Sequence, residues 1–156
     1  MKRQIMLPAP IGYLYISLNG GSVTRIAMSR DNSVGISDDL TVAERVVKEQ
    51  IEEYFKGKRK QFYFPYMVEC GTPFQQQVWR ELCKIPYGTT ATYGNIAMRI
   101  GKRGASRAVG AACNRNPLLL LVPCHRVIGN GGRLVGFACG VDVKSFLLDM
   151  EHTELF

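Results

Sequence analysis

Residues 93–115 read YGNIAMRIGKRGASRAVGAACNR, and this stretch sets the architecture of the second half of the chain. Apolar residues at helical spacing predict one helix over about 93–100 and another over about 105–115, with the connection GKRG at 101–104. Two helices joined in this way form a helix-turn-helix candidate. A generic αα-hairpin has the same spacing, so this pattern alone leaves DNA binding open.

One face of the second predicted helix carries an arginine among small side chains. Arg107, Gly110, Ala111 and Asn114 make up this small-residue face. Because nothing bulky there would hold another backbone away, the face suits close approach to DNA. Flanking cations that could neutralise phosphates are Lys102, Arg103 and Arg115. A tightly packed Ala/Gly helix with a solvated basic end explains the same residues equally well.

The first half of the chain has the pattern of a small α+β unit. Alternating apolar residues over 12–28, interrupted by the turn sequence NGG at 19–21, predict a β-hairpin. A capping box that starts at Thr41 predicts a helix that ends near Gly57. The aromatic segment 61–67 is strand-like, and the proline within it places it at a sheet edge or bends it.

From about residue 72 the pattern changes to short helices. A second capping box at Thr72, with Pro73 at the first helical position, predicts a helix, and a last helix follows Asp142. The residues predicted to be buried on that last helix are Val143, Phe146, Leu147 and Met150. We therefore predict two domains, at 1–70 and 71–156.

A cysteine stands beside a histidine at the exit of an apolar run. Residues 118–122 (LLLLV) predict a buried strand or extended segment, and Pro123 keeps the residue before it out of α geometry. Cys124, between this run and His125-Arg126, is where a lowered thiol pKa is expected. Neighbours in an extended chain point to opposite sides, so contact between Cys124 and His125 needs a turn or a water. An inert buried thiol and a structural histidine are the alternatives.

Composition narrows the classes of partner and site. The chain has 20 Lys and Arg against 13 Asp and Glu, a net charge of +7 that favours a polyanionic partner, nucleic acid first. The 5 cysteines form no C-x-x-C pair, so a zinc knuckle is excluded and reduced thiols are expected. Neither a secretory signal nor an apolar run long enough for a bilayer is evident, so we predict a cytoplasmic protein without a membrane partner.

The glycine-rich segment 129–140 does not match a phosphate loop. A G-x-G-x-x-G fingerprint fails because position 134 is leucine. A wall over a pocket and a simple hairpin loop are the remaining interpretations of this segment.

The run Pro123-Cys124-His125-Arg126-Val127 closely resembles the signature of the O6-alkylguanine-DNA alkyltransferases, also called methylated-DNA–protein-cysteine methyltransferases. Further matches to this family are GTPFQ at 71–75, VW at 78–79, IPYG at 85–88, TY at 92–93, RAVG at 107–110, NP at 116–117 and the segment 144–151. Residues 1–70 match the family only in general pattern. The resemblance implies a ribonuclease H-like α+β domain followed by a mainly helical, winged-helix-like domain.

The resemblance also implies a chemistry for named residues. Cys124 would accept the alkyl group, and His125 would deprotonate it through a water. Glu151 would orient His125, and Asn116 would hold the turn around the nucleophile. Tyr93 would meet the flipped base and favour proton donation to guanine N3.

On the DNA side, the resemblance implies that the helix-turn-helix docks in the minor groove and that Arg107 enters the stack in place of the flipped guanine. Backbone groups of Cys124 and Val127 would read the base edge. Residues expected to bind nucleic acid are Arg107, Tyr93, Gly110, Ala111, Asn114, Lys102, Arg103, Arg115 and Arg126. Residues expected to line the substrate pocket are Val127, Val135, Gly136, Phe137, Ala138, Cys139, Gly140 and Lys144.

The expected activity is single-turnover repair of O6-alkylguanine, mainly O6-methylguanine, and of O4-alkylthymine in double-stranded DNA. The alkyl carbon lies inside the duplex, so the nucleotide must be flipped out. The thioether that forms has no carbonyl for water to attack, so the protein is consumed. We expect a monomer that needs no cofactor.

Departures from the family pattern bear on the pocket and on metal. Phe137 stands where the family commonly has tyrosine, and Ala138 and Cys139 occupy positions that often carry other side chains. No Cys or His precedes Cys70, so the N-terminal zinc of some relatives has no ligands here, and we predict no metal. Relatives that bind damage without repair replace the cysteine, and Cys124 argues against that class. A cysteine hydrolase would differ by multiple turnover.

Overall fold

The computed structural model describes residues 1–31 and 35–153, which form an α+β protein. The chain divides into two compact units. One unit is Met1–Glu69 with Pro117–Leu119, and the other is Cys70–Asn116 with Leu120–Phe156. The return of Pro117–Leu119 to the first unit is absent from the predicted domains, and residues 154–156 lie outside the described part of the chain.

A three-stranded antiparallel sheet forms the first unit, with the strands in the order β1 (Lys2–Ala9), β2 (Gly12–Asn19) and β3 (Ser22–Ser29). The predicted hairpin is confirmed as β2 and β3, whose turn uses Gly20 and Gly21 with φ of 60° and 86°. Strand β1 was not predicted because prolines interrupt its pattern. It lies at the sheet edge, where a missing N–H is tolerated.

Helix α1 (Val42–Phe55) follows the sheet, as predicted. Both capping-box bonds are present, with the Glu44 N–H donating to Thr41 Oγ1 at 3.2 Å and the Thr41 N–H to Glu44 Oε1 at 3.0 Å. Arg3 from β1 donates to the same carboxylate at 2.8 Å, so the helix start is tied to the sheet. Gly57, with φ of 75°, follows the helix end.

Two segments expected to be strands are irregular. The segment 61–67 makes one parallel bridge, between Val23 and Tyr66, because Pro65 has no N–H to extend the pairing. The run 118–122 is extended at Leu118, which bridges Ile26, but Leu120 adopts a left-handed φ of 75° and turns the chain. Neither segment forms a regular strand. The single bridge of 61–67 to the edge strand β3 agrees with its predicted edge position, and residues 118–120 and 122 are buried as expected.

Three helices and a short parallel ladder build the frame of the second unit. The helices are α2 (Pro73–Leu82), α3 (Tyr93–Arg99) and α4 (Ser106–Asn114), and the ladder pairs β4 (Ala91–Thr92) with β5 (Val127–Ile128). All three predicted helices are thus confirmed, and α2 begins at the Thr72 capping box. The Trp79 indole N–H donates to the Ala112 carbonyl at 2.8 Å and joins α2 to α4.

The last helix, α5 (Val141–Thr153), presents an unexpected face to the interior. Phe146 was predicted to be buried, but its exposed fraction is 42%. Lys144 and Glu151 are instead almost fully buried, with Leu147 between them on the same side. Hydrogen-bond partners in the second unit compensate for the burial of these two side chains. The orientation of α5 that buries them leaves Phe146 facing outward.

No helix in the described ranges is long and apolar enough to cross a membrane.

Candidate active site

Cys124, the predicted nucleophile, lies on a single 3-10 turn, Cys124–Arg126, which follows Pro123. The Asn116 side-chain amide donates to the Val122 carbonyl at 2.8 Å and to Cys124 Sγ at 3.2 Å. The end of α4 is thereby tied to both sides of Pro123. Cys124 and His125 lie on a turn and not on an extended strand. A turn is one of the two arrangements, the other being a bridging water, that would allow them to interact.

The expected lowering of the Cys124 pKa is wrong. Burial raises the pKa of this thiol to about 11, although the Asn116 hydrogen bond and the positive charge of Lys144 oppose the rise. At neutral pH a thiol with that pKa is about one part in ten thousand thiolate. The sequence reasoning counted the neighbouring charges but not the loss of water around a side chain that is 4% exposed. Cys124 therefore needs a base to become a nucleophile.

His125 is completely buried and is paired with Glu151, with 2.8 Å between Nε2 and the carboxylate oxygen Oε2. Burial raises the pKa of Glu151, but hydrogen bonds from His125 and Arg126 outweigh it and hold the pKa far below its usual range. An ionised carboxylate only accepts, so Nε2 carries the proton and Nδ1 is the basic nitrogen. Nδ1 is buried and has no hydrogen-bond partner among the described residues.

Arg126 does not lie where the DNA contact was expected. Its side chain is 9% exposed, and its Nε and Nη2 donate to the two oxygens of Glu151 at 2.8 Å and 2.9 Å. Nη1 donates to the Ile85 carbonyl at 2.9 Å, and the guanidinium lies 5.6 Å from the centre of the Tyr87 ring. The assignment of Arg126 to a DNA surface is corrected, because the guanidinium is occupied inside the second unit.

Lys144 joins α5 to α3 and to the glycine-rich segment. Its ammonium donates to the Tyr93 hydroxyl and to the Val135 carbonyl, both at 3.3 Å. The Tyr93 hydroxyl also donates to Val135 at 2.9 Å, and the ammonium lies 5.7 Å from the Phe137 ring centre. Burial raises the pKa of Tyr93 to about 12, so this phenol keeps its proton at neutral pH. The glycine-rich segment therefore lies beside Tyr93, and its role as a pocket wall stays a prediction.

The other predicted pocket residues differ in accessibility. Val135, Gly136 and Ala138 are exposed, whereas Phe137, Cys139 and Gly140 are partly exposed. Val127 is fully buried and pairs with Ala91 in the ladder, so its side chain is not accessible to a ligand.

Sequence reasoning missed three contributors to this site. Cys113 on α4 is a second buried thiol, and the charge of Cys124 adds to the burial that raises its pKa to about 12. Ile85 and Tyr87 hold Arg126 in place, and the IPYG match at 85–88 was the available signal.

The described residues contain no group of three or more His, Cys, Asp or Glu that could hold a metal ion.

The small-residue face of α4 is accessible. Arg107, Ala111 and Asn114 are exposed, as are the cations Lys102, Arg103 and Arg115, and Gly110 is partly exposed. A Cβ at Gly110 would lie 3.8 Å from the Tyr93 ring, which is an ordinary contact distance. The face therefore adjoins Tyr93, one of the residues expected to meet the base.

Comparison with known proteins bears directly on this site. The sequence profile described as "6-O-methylguanine DNA methyltransferase, DNA binding domain" matches residues 73–153. The methylated-DNA–protein-cysteine methyltransferase of Methanosarcina barkeri is 52% identical over 154 residues, which are 96% of this chain and 97% of that protein. The chain belongs to the methylated-DNA–protein-cysteine methyltransferase family.

Relatives in this methyltransferase family cover both units of the chain. The constitutive methylated-DNA–protein-cysteine methyltransferase of Bacillus subtilis is 41% identical over 151 residues, 92% of this chain and 91% of its own. The crystal structure of Mycobacterium tuberculosis O6-methylguanine methyltransferase superposes with a TM-score of 0.86 and 37% identity, covering 99% of this chain and 94% of that one. A structure of Mycobacterium tuberculosis OGT in complex with DNA superposes with a TM-score of 0.85 and 38% identity, covering 96% of this chain and 92% of that one. The first 70 residues, where motif matches were only general, thus share the family fold.

Proposed function

We propose that this protein repairs alkylated DNA by direct reversal, with Cys124 as the alkyl acceptor. In the reaction the Sγ–carbon bond forms as the bond between the alkyl carbon and guanine O6 breaks. The observation that carries the proposal is a buried thiol that Asn116 holds on the same turn as His125, whose Nε2 is paired with Glu151 of α5. Family membership supports it, because relatives over the whole chain are named for this transfer.

Activation of the thiol is the task of the relay, by which we mean Cys124, His125 and Glu151. A thiol with a pKa of about 11 is almost entirely protonated at neutral pH, so attack requires proton removal. His125 is neutral in the resting protein because burial lowers its pKa, and its Nδ1 takes the proton through a water. Glu151 then stabilises the imidazolium through Nε2.

Departure of the base also requires a group that donates a proton to the guanine. As the carbon–oxygen bond breaks, negative charge develops on the guanine, and Tyr93 donates toward N3. The raised pKa of Tyr93, about 12, keeps the hydroxyl protonated until that charge develops. Lys144, 3.3 Å from the same hydroxyl, stabilises the donor as it loses its proton.

The small-residue face of α4 supplies the DNA contact in this proposal. It docks in the minor groove of double-stranded DNA, and Arg107 enters the stack to offset part of the cost of extruding the nucleotide. Backbone groups of Cys124 and Val127 read the edge of the flipped base, and O4-alkylthymine is accepted as well. A cytoplasmic monomer, a ribonuclease H-like first domain and a winged-helix-like second domain remain predictions.

Intact mass spectrometry after incubation with duplex DNA containing O6-methylguanine tests this function. We expect each protein chain to gain one methyl group, located on Cys124 by peptide mapping, and each chain to repair one lesion. Release of many repaired products per chain would instead support the cysteine hydrolase alternative. No mass gain, with the lesion intact, would contradict alkyl transfer.

The Cys139→Gly substitution tests the size of the pocket. Cys139 is partly exposed and close enough to Cys124 for its charge to raise the Cys124 pKa. Cysteine occupies more volume than glycine, so we expect the variant to accept benzyl groups faster while its methyl transfer scarcely changes. The rates of Cys124 alkylation by O6-methylguanine and O6-benzylguanine in both proteins measure this. Equal changes for both substrates would show that residue 139 does not line the alkyl pocket.

A further inference from the structure

One carboxylate in the second unit serves two partners. The Glu151 oxygen Oε2 lies 2.8 Å from His125 Nε2 and 2.9 Å from Arg126 Nη2, and Oε1 accepts from Arg126 Nε at 2.8 Å. Arg126 is itself fixed by its 2.9 Å bond to the Ile85 carbonyl. A guanidinium that holds both carboxylate oxygens and is anchored at its third nitrogen leaves the carboxylate one orientation.

The charges around His125 would favour different protonation states. Glu151 favours the imidazolium, whereas burial and the positive charges of Arg126 and Lys144 favour the neutral ring. The Cys124 thiol lies beside His125 on the same turn, and burial raises its pKa. A carboxylate with histidine as its sole partner would draw a proton onto that ring. In this protein Arg126 already balances the charge of the carboxylate, so Glu151 does not need a proton on His125 to do so.

We propose that Arg126 is a positioning residue of the relay, which keeps His125 neutral and ready to accept a proton by holding both oxygens of Glu151. This inference rests on the proposed function, because it assigns Arg126 to the step in which His125 deprotonates Cys124. The guanidinium makes no contact with the reacting atoms in this role. It sets the state and direction of the imidazole that does.

The direct test is titration of His125 by NMR in protein labelled at histidine. The chain has 2 histidines, His125 and the exposed His152. In Arg126→Met the midpoint for His125 should rise by about one pH unit or more, because a positive charge beside the carboxylate is lost. The low-pH limb of the rate of Cys124 alkylation by free O6-methylguanine should move upward by the same amount. Arg80→Met, an exposed arginine on α2, should change neither.

The conservative variant separates positioning from mere support of the fold. Arg126→Lys keeps the charge but cannot bridge both oxygens, so we expect the wild-type midpoint with a slower rate at every pH. The double variant Arg126→Met/Glu151→Gln removes both charges, and its His125 midpoint should fall below that of Arg126→Met. It also provides a measurement if the single variant does not fold.

Several outcomes would overturn the proposal. An unchanged His125 midpoint in folded Arg126→Met, with activity lost equally at all pH values, would make Arg126 a structural residue only. A midpoint that rises in Arg126→Lys as much as in Arg126→Met would exclude the charge argument. Failure of the wild-type protein to take up any alkyl group would refute the proposed function, while the His125 titration would still report on Arg126.

Discussion

Cys124→Ala abolishes alkyl uptake and leaves the affinity for duplex DNA within about twofold of wild type, because phosphate contacts supply most of that affinity. The cysteine is 4% exposed, whereas Arg107, Ala111 and Asn114 on α4 are exposed. Removing one buried sulfur therefore removes the acceptor without touching the proposed DNA surface. Intact mass after incubation with methylated duplex and fluorescence anisotropy at fixed salt measure the two effects.

Cys83→Ala is the matched control for this prediction. Cys83 is exposed, lies at the end of α2 and has no place in the relay, so its variant should still gain one methyl group per chain. Methyl uptake by Cys124→Ala would exclude Cys124 as the acceptor. Loss of uptake in Cys83→Ala alone would point to a different thiol.

Arg107→Ala slows repair of duplex DNA by roughly 10- to 100-fold, because each factor of ten corresponds to about 1.4 kcal/mol and extrusion costs a few kcal/mol. The same variant should react with free O6-methylguanine at the wild-type rate, since a free base needs no extrusion. Arg107 is exposed on α4, and Arg107 and Gly110 are one helical turn apart. Single-turnover rates at saturating protein, with duplex and with free base, provide the comparison.

Arg115→Ala distinguishes insertion from simple charge. Arg115 is an exposed cation at the end of α4, and we expect its loss to weaken binding and reduce the salt dependence by about one phosphate contact. At saturating protein its repair rate should remain close to wild type. Equal losses of Arg107→Ala on duplex and free base would refute insertion, as would an equal rate loss in Arg115→Ala at saturation.

Local signals in the sequence were sufficient for several elements of the fold. The capping boxes at Thr41 and Thr72 mark the starts of α1 and α2, because cap, first turn and apolar stripe all lie within a few residues. The turn of the β2–β3 hairpin was equally local, since two glycines supply the positive φ angles. Strand β1 was missed because its edge position, which tolerates proline, is a property of the sheet.

Some features of the candidate site could likewise be predicted from local sequence, and others could not. Cys124, His125 and the small-residue face follow from sequence patterns that are continuous or regularly spaced. The place of Arg126 could not be predicted, because its partners Glu151 and Ile85 are 25 and 41 residues away. The Cys124 pKa was predicted in the wrong direction, because burial depends on every element packed around the turn.

The chain's order of residues therefore specifies which groups are proposed to carry the chemistry and which helices and turns hold them. Their protonation states and partners depend on tertiary packing, which removes water from Cys124 and His125 and brings Lys144 and Glu151 of α5 into the interior of the second unit. The physical reason is that hydrogen bonds within caps and turns act over a few residues, whereas desolvation and buried ion pairs act across space between distant parts of the chain.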